Sequence, residues 1–180
     1  VGSFFGISKF HSLCLFSLLF FGFLGCTHVA HQSEDDPRVV LDVDLNRYVG
    51  IWYEIGRYPT FFQRDCMQST AEYKVISATE ISVKNTCIRE SKSKRSIEGV
   101  AKVVTPPAKL KVDFGFFRRG DYWITDLDAD YQWAVVSGPK RDSLFILARQ
   151  APMAAETLKQ ILDRLVANGF DTSTIIYDQY

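Results

Sequence analysis

The chain of 180 residues carries 21 basic and 21 acidic side chains, a formal charge of zero that leaves no electrostatic footprint for nucleic acid. With 47% hydrophobic and 23% charged residues, it is no disordered segment, and its length suits one domain plus a leader rather than two domains. All three histidines, His11, His28 and His31, stand in the leading part of the chain, so histidine-dependent triads are excluded from the domain that follows.

Residues 10–25 read FHSLCLFSLLFFGFLG, preceded by one charged residue, Lys9. The apolar run is shorter than the about 20 residues of a spanning helix. It follows the plan of a secretory signal peptide over residues 1–25. Phe23-Leu24-Gly25-Cys26 resembles the lipobox of bacterial lipoproteins, although that pattern usually has Leu three before the cysteine and a small or β-branched residue two before it. An ordinary cleavage site with a chance cysteine nearby is the other reading. The resemblance implies that Cys26 is the lipid-attachment residue and that residues 26–41 form a polar tether carrying an N-terminal acyl anchor. Thr27, in place of the Asp that retains such proteins in the inner membrane, implies the bacterial outer membrane with a periplasm-facing domain. Cys66 and Cys87 then remain as a pair in an oxidising compartment. Their 20 intervening residues exclude a C-x-x-C redox motif, so a structural disulfide is expected.

From Val49 onward the chain alternates with period two and is punctuated by turn residues, which predicts strands over 50–58, 68–76, 80–89, 96–104, 109–114, 121–127, 131–138 and 143–150. Short connections between neighbours make an up-and-down meander. Eight such strands close into a barrel that removes unpaired edges and holds room for one small ligand. Residues 153–168 place Met153, Leu158, Ile161, Leu162, Leu165 and Val166 at helical spacing, with Pro152 near the start and Gly169 past the end. The expected fold is all-β: an eight-stranded antiparallel barrel over residues 42–180 with one C-terminal α-helix packed outside.

Three segments of this frame carry a likeness. Gly50-Ile51-Trp52-Tyr53-Glu54 resembles the first lipocalin signature, G-x-W-Y-E; Thr125-Asp126-Leu127-Asp128 with Tyr131 resembles the T-D-Y turn, with one extra residue; and Leu144 to Arg149 resembles the third signature, which ends in Arg. The flanking text looks most like the bacterial outer-membrane lipocalins and their animal relative apolipoprotein D. The resemblance implies that Trp52 plugs the narrow end of the barrel with Arg149 stacked on it, a structural pair worth about 0.5–2 kcal/mol. Asp126 and Asp128 are expected to bond local backbone N–H groups.

Strand parity, anchored on that pair, gives an inward set. It contains Tyr73 and Val75 on strand two, Val83, Asn85 and Arg89 on strand three, and Ile97 and Ala101 on strand four. Strands five to eight add Leu110, Val112, Phe114, Tyr122, Ile124, Val136 and Phe145, with Phe117 beside the mouth. Arg89 is expected to meet an anionic head group or to stand as a solvated rim charge. Phe61, Phe62, Phe116 and Phe117 either dip into a bilayer or fold over the cavity. The expected partner is a small hydrophobic ligand, a fatty acid, phospholipid or lysophospholipid, carried without cofactor, metal or catalytic residue by a monomer or weak homodimer. Two other readings stand beside this one: an envelope lipoprotein with a solid barrel core, and a carboxylate-based lipid-modifying enzyme, for which Glu54 is a buried acid by the closed end.

Overall fold

A computed structural model describes residues 36–104, 108–116 and 118–180. The expected signal peptide, Cys26, the expected tether up to residue 35 and Phe117 lie outside the described residues. A single helical turn, α1 (Leu45–Tyr48), is capped by the Asp44 carboxylate, which accepts from the Asn46 N–H at 2.9 Å. Eight strands follow: β1 (Gly50–Arg57), β2 (Cys66–Ser77), β3 (Glu80–Arg89), β4 (Lys94–Val103), β5 (Lys109–Asp113), β6 (Arg119–Leu127), β7 (Trp133–Ser137) and β8 (Leu144–Ala148). Helix α2 (Ala155–Ala167) and a two-residue strand β9 (Ile176–Tyr177) end the chain. Each of the eight strands pairs antiparallel with the next, and β8 and β2 both pair with β1, which closes the barrel.

Period-two alternation sorts the apolar side chains into two layers. Odd-numbered residues of β2, β3 and β4 and even-numbered residues of β5 and β6 fill the lumen, among them Tyr73, Ile81, Val83, Ala101 and Ile124, around Trp52 of β1. The opposite parity of β7 and β8, Val135, Leu144 and Ile146, faces outward and is covered by Ile161 and Leu165 of α2. Arg164 fastens the helix by a two-pronged bond to Asp126 at 2.6 and 2.5 Å. Asp126 also accepts from the Leu127 N–H, and Asp128 from the Asp130 and Gln132 N–H groups, as turn carboxylates do. The end of the tether is part of the domain: Pro37 is fully buried, Val39 and Val40 pack on the lumen cluster, and the Val40 N–H donates to the Ile124 carbonyl. Cys66 and Cys87 form a disulfide that joins β2 to β3 near the mouth. A bridge around a loop of that length contributes about 3 kcal/mol in the chain-entropy picture.

The barrel has a seam that period-two reading misses. The register between β1 and β2 runs from Gly50↔Tyr73 to Tyr53↔Thr70 and stops there, just before a bulge between Glu54 and Gly56. Above that point the C-terminal tail enters between the two strands. Gly56 and Arg57 pair with Tyr177 and Ile176, and the Gln179 N–H donates to the Met67 carbonyl at 2.9 Å. Gly56 must be glycine for this, since a Cβ there would stand 2.9 Å from Ile175 Cγ2.

A buried ionic cluster fills the seam. Arg57 donates to Glu54 at 3.1 Å, to Asp178, and to the Gln63 and Cys66 carbonyls. Gln63 Nε2 reaches both Glu54 oxygens at 3.1 and 3.0 Å, and Asp178 accepts from the Ser69 N–H at 2.6 Å. Glu54 therefore lies at the seam above Trp52, not by the closed end, and it ties the 58–65 segment to the wall.

One guanidinium faces two carboxylates here. Burial, aided by the Asp178 charge, pushes Glu54 up to about 7, and burial pushes Asp178 up to about 6. Both folded-state values exceed the ordinary carboxylate range, so the native state holds protons that the unfolded chain has released. Stability therefore falls as pH rises from about 4 through about 7 and then levels off. Melting curves of the wild type should show Tm dropping by about 5 °C between pH 5 and pH 8, and Glu54→Gln should flatten most of that slope. An equal slope in the variant would place the titration elsewhere.

Candidate functional site

The closed end is built around Trp52, which is fully buried and donates its indole N–H to the Tyr48 carbonyl at 2.7 Å. The Arg149 guanidinium lies over the indole, 3.8 Å from the ring centroid. Its N–H groups donate to four carbonyls: Ile51 at 3.0 Å, Arg47 at 2.8 Å, Tyr48 at 3.1 Å and Tyr131 at 3.3 Å. Two of these belong to the end of α1, where a helical turn leaves carbonyls without partners and a cation is favoured. Gly50, at φ +100°, admits the guanidinium: a Cβ there would stand 3.2 Å from Nη1.

Above this plug three tyrosines meet. Tyr48 comes from α1, Tyr73 from β2 and Tyr122 from β6, strands on opposite walls of an eight-stranded barrel. The Tyr122 hydroxyl lies 2.7 Å from that of Tyr48 and 2.9 Å from that of Tyr73. The three hydroxyls thus bridge the lumen and form a floor. Burial holds all three well above the ordinary phenol range, so each keeps its hydrogen. Tyr48 is absent from the inward set that parity gives, because it stands on a helical turn where counting by twos does not reach.

The floor divides the lumen into a filled half and an open half. Beside and below it Tyr73, Val83, Ala101, Leu110, Ile124 and Val136 are buried and packed together with Trp52 and Leu147. Toward the mouth Asn85, Ile97, Val112, Phe114, Tyr122 and Phe145 hold inward positions and remain partly exposed. They line the cup, the stretch of lumen between the tyrosine hydroxyls and the mouth. Two glycines shape it. At Gly99 a Cβ would clash with the Asp113 carbonyl and come within 2.7 Å of Phe114 Cδ1, so glycine admits the close approach of that segment; at Gly120 a Cβ would meet only Val112 Cγ1, at 3.8 Å.

Two expected positions fall elsewhere. Val75 is 45% exposed: β2 runs past its last β1 partner and carries it beyond the closed end, so it lines no cup. Arg89 does reach the mouth, but its guanidinium pairs with Asp65 at 2.6 Å, and Arg95 shares the same carboxylate at 3.3 Å. Nor do Phe61, Phe62 and Phe116, the described rim aromatics, pack into the protein. Phe61, Phe62 and Phe116 are 80%, 63% and 96% exposed. A separate hollow of about 380 Å³, between Pro59–Arg64 and Ile176–Tyr177, lies beside the seam and shares no residue with the cup.

Arg149→Met should retain stacking area over Trp52 and lose the bonds to four carbonyls. The expected cost is about 2–4 kcal/mol, read as a lower midpoint in urea with an unchanged slope; an unaltered midpoint would remove Arg149 from the list of supports.

A family profile described as a lipocalin-like domain matches residues 43–179. The outer membrane lipoprotein Blc of Vibrio cholerae is 35% identical over 171 residues, covering 93% of this chain and 96% of that protein. Temperature-induced lipocalin-1 of Arabidopsis thaliana is 37% identical, covering 79% of this chain and 82% of its own length. Apolipoprotein D of Macaca fascicularis is 34% identical, covering 75% and 76%. Among solved structures, insecticyanin of the tobacco hornworm Manduca sexta superposes with a TM-score of 0.64 at 22% identity, over 81% of this chain and 85% of that one. With the signature residues seated at the closed end of a barrel of this topology, and the profile spanning nearly all of it, the chain belongs to the lipocalin family.

Proposed function

We propose that the protein binds a small hydrophobic ligand in the cup and carries or stores it at a membrane surface. The observation that carries this reading is the change from fully buried to partly exposed apolar side chains across the tyrosine floor: Ile97, Val112, Phe114 and Phe145 hold inward positions and keep part of their surface uncovered. Such surface gains about 25 cal/mol for each Å² that a ligand removes from water. Fatty acids, phospholipids and lysophospholipids are the ligand classes, each offering a hydrocarbon segment to the cup. Acylation at Cys26 tethers the domain to the outer membrane, facing the periplasm; the similarity to the Blc lipoproteins supports this placement. With Arg89 and Arg95 sharing Asp65, charge recognition at the mouth falls to the other rim cations.

The rim supports loading from a lipid surface. Arg64, Lys92, Lys94, Arg118 and Lys140 stand exposed on the mouth-side connections, together with Phe61, Phe62 and Phe116. Three exposed acids, Asp65, Glu90 and Asp142, share that end and leave cations in excess, whereas Asp42, Asp44, Asp128 and Asp130 lie at the opposite end. A formally neutral protein is thus polarised, with its cationic, aromatic end at the opening, and such an end is drawn to an anionic bilayer.

Two measurements test this. A fluorescent fatty acid should be held by the wild type and displaced by unlabelled lipid. Gly120→Trp, which places a large ring in open space, should weaken the probe at least tenfold with little change in Tm. Equal binding by that variant would locate the ligand outside the cup. Separately, protein carrying Cys26→Ser should sediment with anionic vesicles at low salt and be released as salt rises, while Phe61→Ser with Phe116→Ser should lose most of that binding. Failure to bind such vesicles would confine membrane contact to the acyl anchor.

A further inference from the structure

The tyrosine floor carries a hydrogen too many. Three hydroxyls hold three hydrogens, and the two contacts among them, Tyr48 to Tyr122 and Tyr73 to Tyr122, consume two. Among the described residues no other acceptor lies within reach of any of the three oxygens. Wherever the donors point, one hydrogen is left over. Leaving a buried donor unpaired costs about 1–3 kcal/mol, so the arrangement that sends it toward space is favoured. Tyr48 and Tyr73 are sealed in the core, whereas Tyr122 is partly exposed at an inward position of the cup. A phenol oxygen accepts twice and donates once. Tyr122 can therefore take a hydrogen from each neighbour and direct its own upward.

Building on the carrier reading above, we propose that the Tyr122 hydroxyl is a hydrogen-bond donor at the floor of the cup, selective for hydrophobic ligands whose buried end bears a neutral oxygen acceptor such as a carbonyl. A carboxylate is a poorer match. Arg149 is below the plug and engaged with four carbonyls, and Arg89 is paired at the rim with Asp65. An anion at the floor would lie in a low dielectric without a counter-charge, which is costly. A bare hydrocarbon end fits by shape and leaves the donor unpaired. A polar group at the bottom of a greasy cup thereby sets orientation as well as selectivity: the oxygenated end enters first.

The test is a ligand pair matched in shape, 2-acetylnaphthalene and 2-ethylnaphthalene, titrated into the full-length protein and two variants. Tyr122→Phe removes the donor and should weaken the ketone about tenfold relative to its ethyl partner. Tyr73→Phe leaves Tyr48 donating to Tyr122 and Tyr122 free to donate upward, so the ratio of the two affinities should stay within twofold of wild type. The carbonyl stretch of the bound ketone should lie at its hydrogen-bonded frequency in wild type, a measurement that needs no variant to fold. An affinity ratio unmoved by Tyr122→Phe, or moved equally by Tyr73→Phe, overturns the assignment, as does a carbonyl stretch at its hydrocarbon-solvent value. If both compounds bind without these signatures, the cup is a carrier site with its spare hydrogen on trapped water. If neither binds wild type, the carrier reading itself falls, and the floor assignment with it.

Discussion

The stack of Arg149 on Trp52 is the contact from which the rest of the architecture follows. A closed barrel of eight strands leaves a channel that must be stopped at one end if it is to hold anything. An indole does this by shape, and the guanidinium beneath it serves a second need. The turn α1, which covers the end, is too short to satisfy its own carbonyls, and Arg149 bonds two of them together with two from neighbouring segments. A lysine could cap one or two carbonyls but could not lie flat on the ring while reaching four. The plug also sets the height of Tyr48, whose ring stands 5.0 Å from the indole, and through Tyr48 the height of the floor.

Closure along the wall is achieved by a different device. The bulge in β1 parts it from β2, and the C-terminal tail fills the gap with backbone pairing and the Glu54–Arg57–Asp178 cluster. A seam made from a distant tail is a nonlocal contact, and its formation carries the entropy cost of closing a long loop. It is also the place where the wall carries buried charge. A buried ion pair is weak evidence for stability, and here a second carboxylate makes full ionisation unfavourable near neutral pH. Gln63, by holding Glu54, makes the 58–65 segment and its exposed Phe61 and Phe62 part of the same unit. The seam and the rim are therefore coupled through one side chain.

Much of the fold was legible because period-two alternation is a long-range signal: each predicted strand overlaps its observed counterpart, and α2 was readable from its apolar stripe and its Gly169 stop. The missing pieces are short. Leu45–Tyr48 is a single turn, below the length at which periodicity exists, and Ile176–Tyr177 has two residues whose pairing depends on a bulge 120 positions earlier. Parity misplaces Val75, because β2 overshoots the barrel there and counting by twos does not register where a strand loses its partner. Parity gives a side, not a height, so it could not separate Leu110 and Ile124 in the filled half from Ile97 and Val112 in the open half. Arg89 illustrates a related limit: its position at the mouth followed from the strand, while its pairing with Asp65 depended on a loop.

In the carrier proposed above, the two halves of the lumen divide the labour. The filled half supplies the apolar burial that keeps a barrel of this size folded, so the open half can leave hydrophobic surface uncovered without unravelling the wall. A lumen open over only part of its length limits how much surface a ligand buries, and hence its affinity, as the proposed carrier role requires for release. Selectivity in such a cup cannot come from hydrocarbon contact alone, because one methylene more or less shifts binding by only about 0.8 kcal/mol. A single fixed polar group discriminates more sharply, since a mismatch leaves it unpaired in a dry environment. Tyr48 and Tyr73 are buried against the plug and bonded through Tyr122 across the lumen, which makes this floor the part of the cup best able to enforce such a choice.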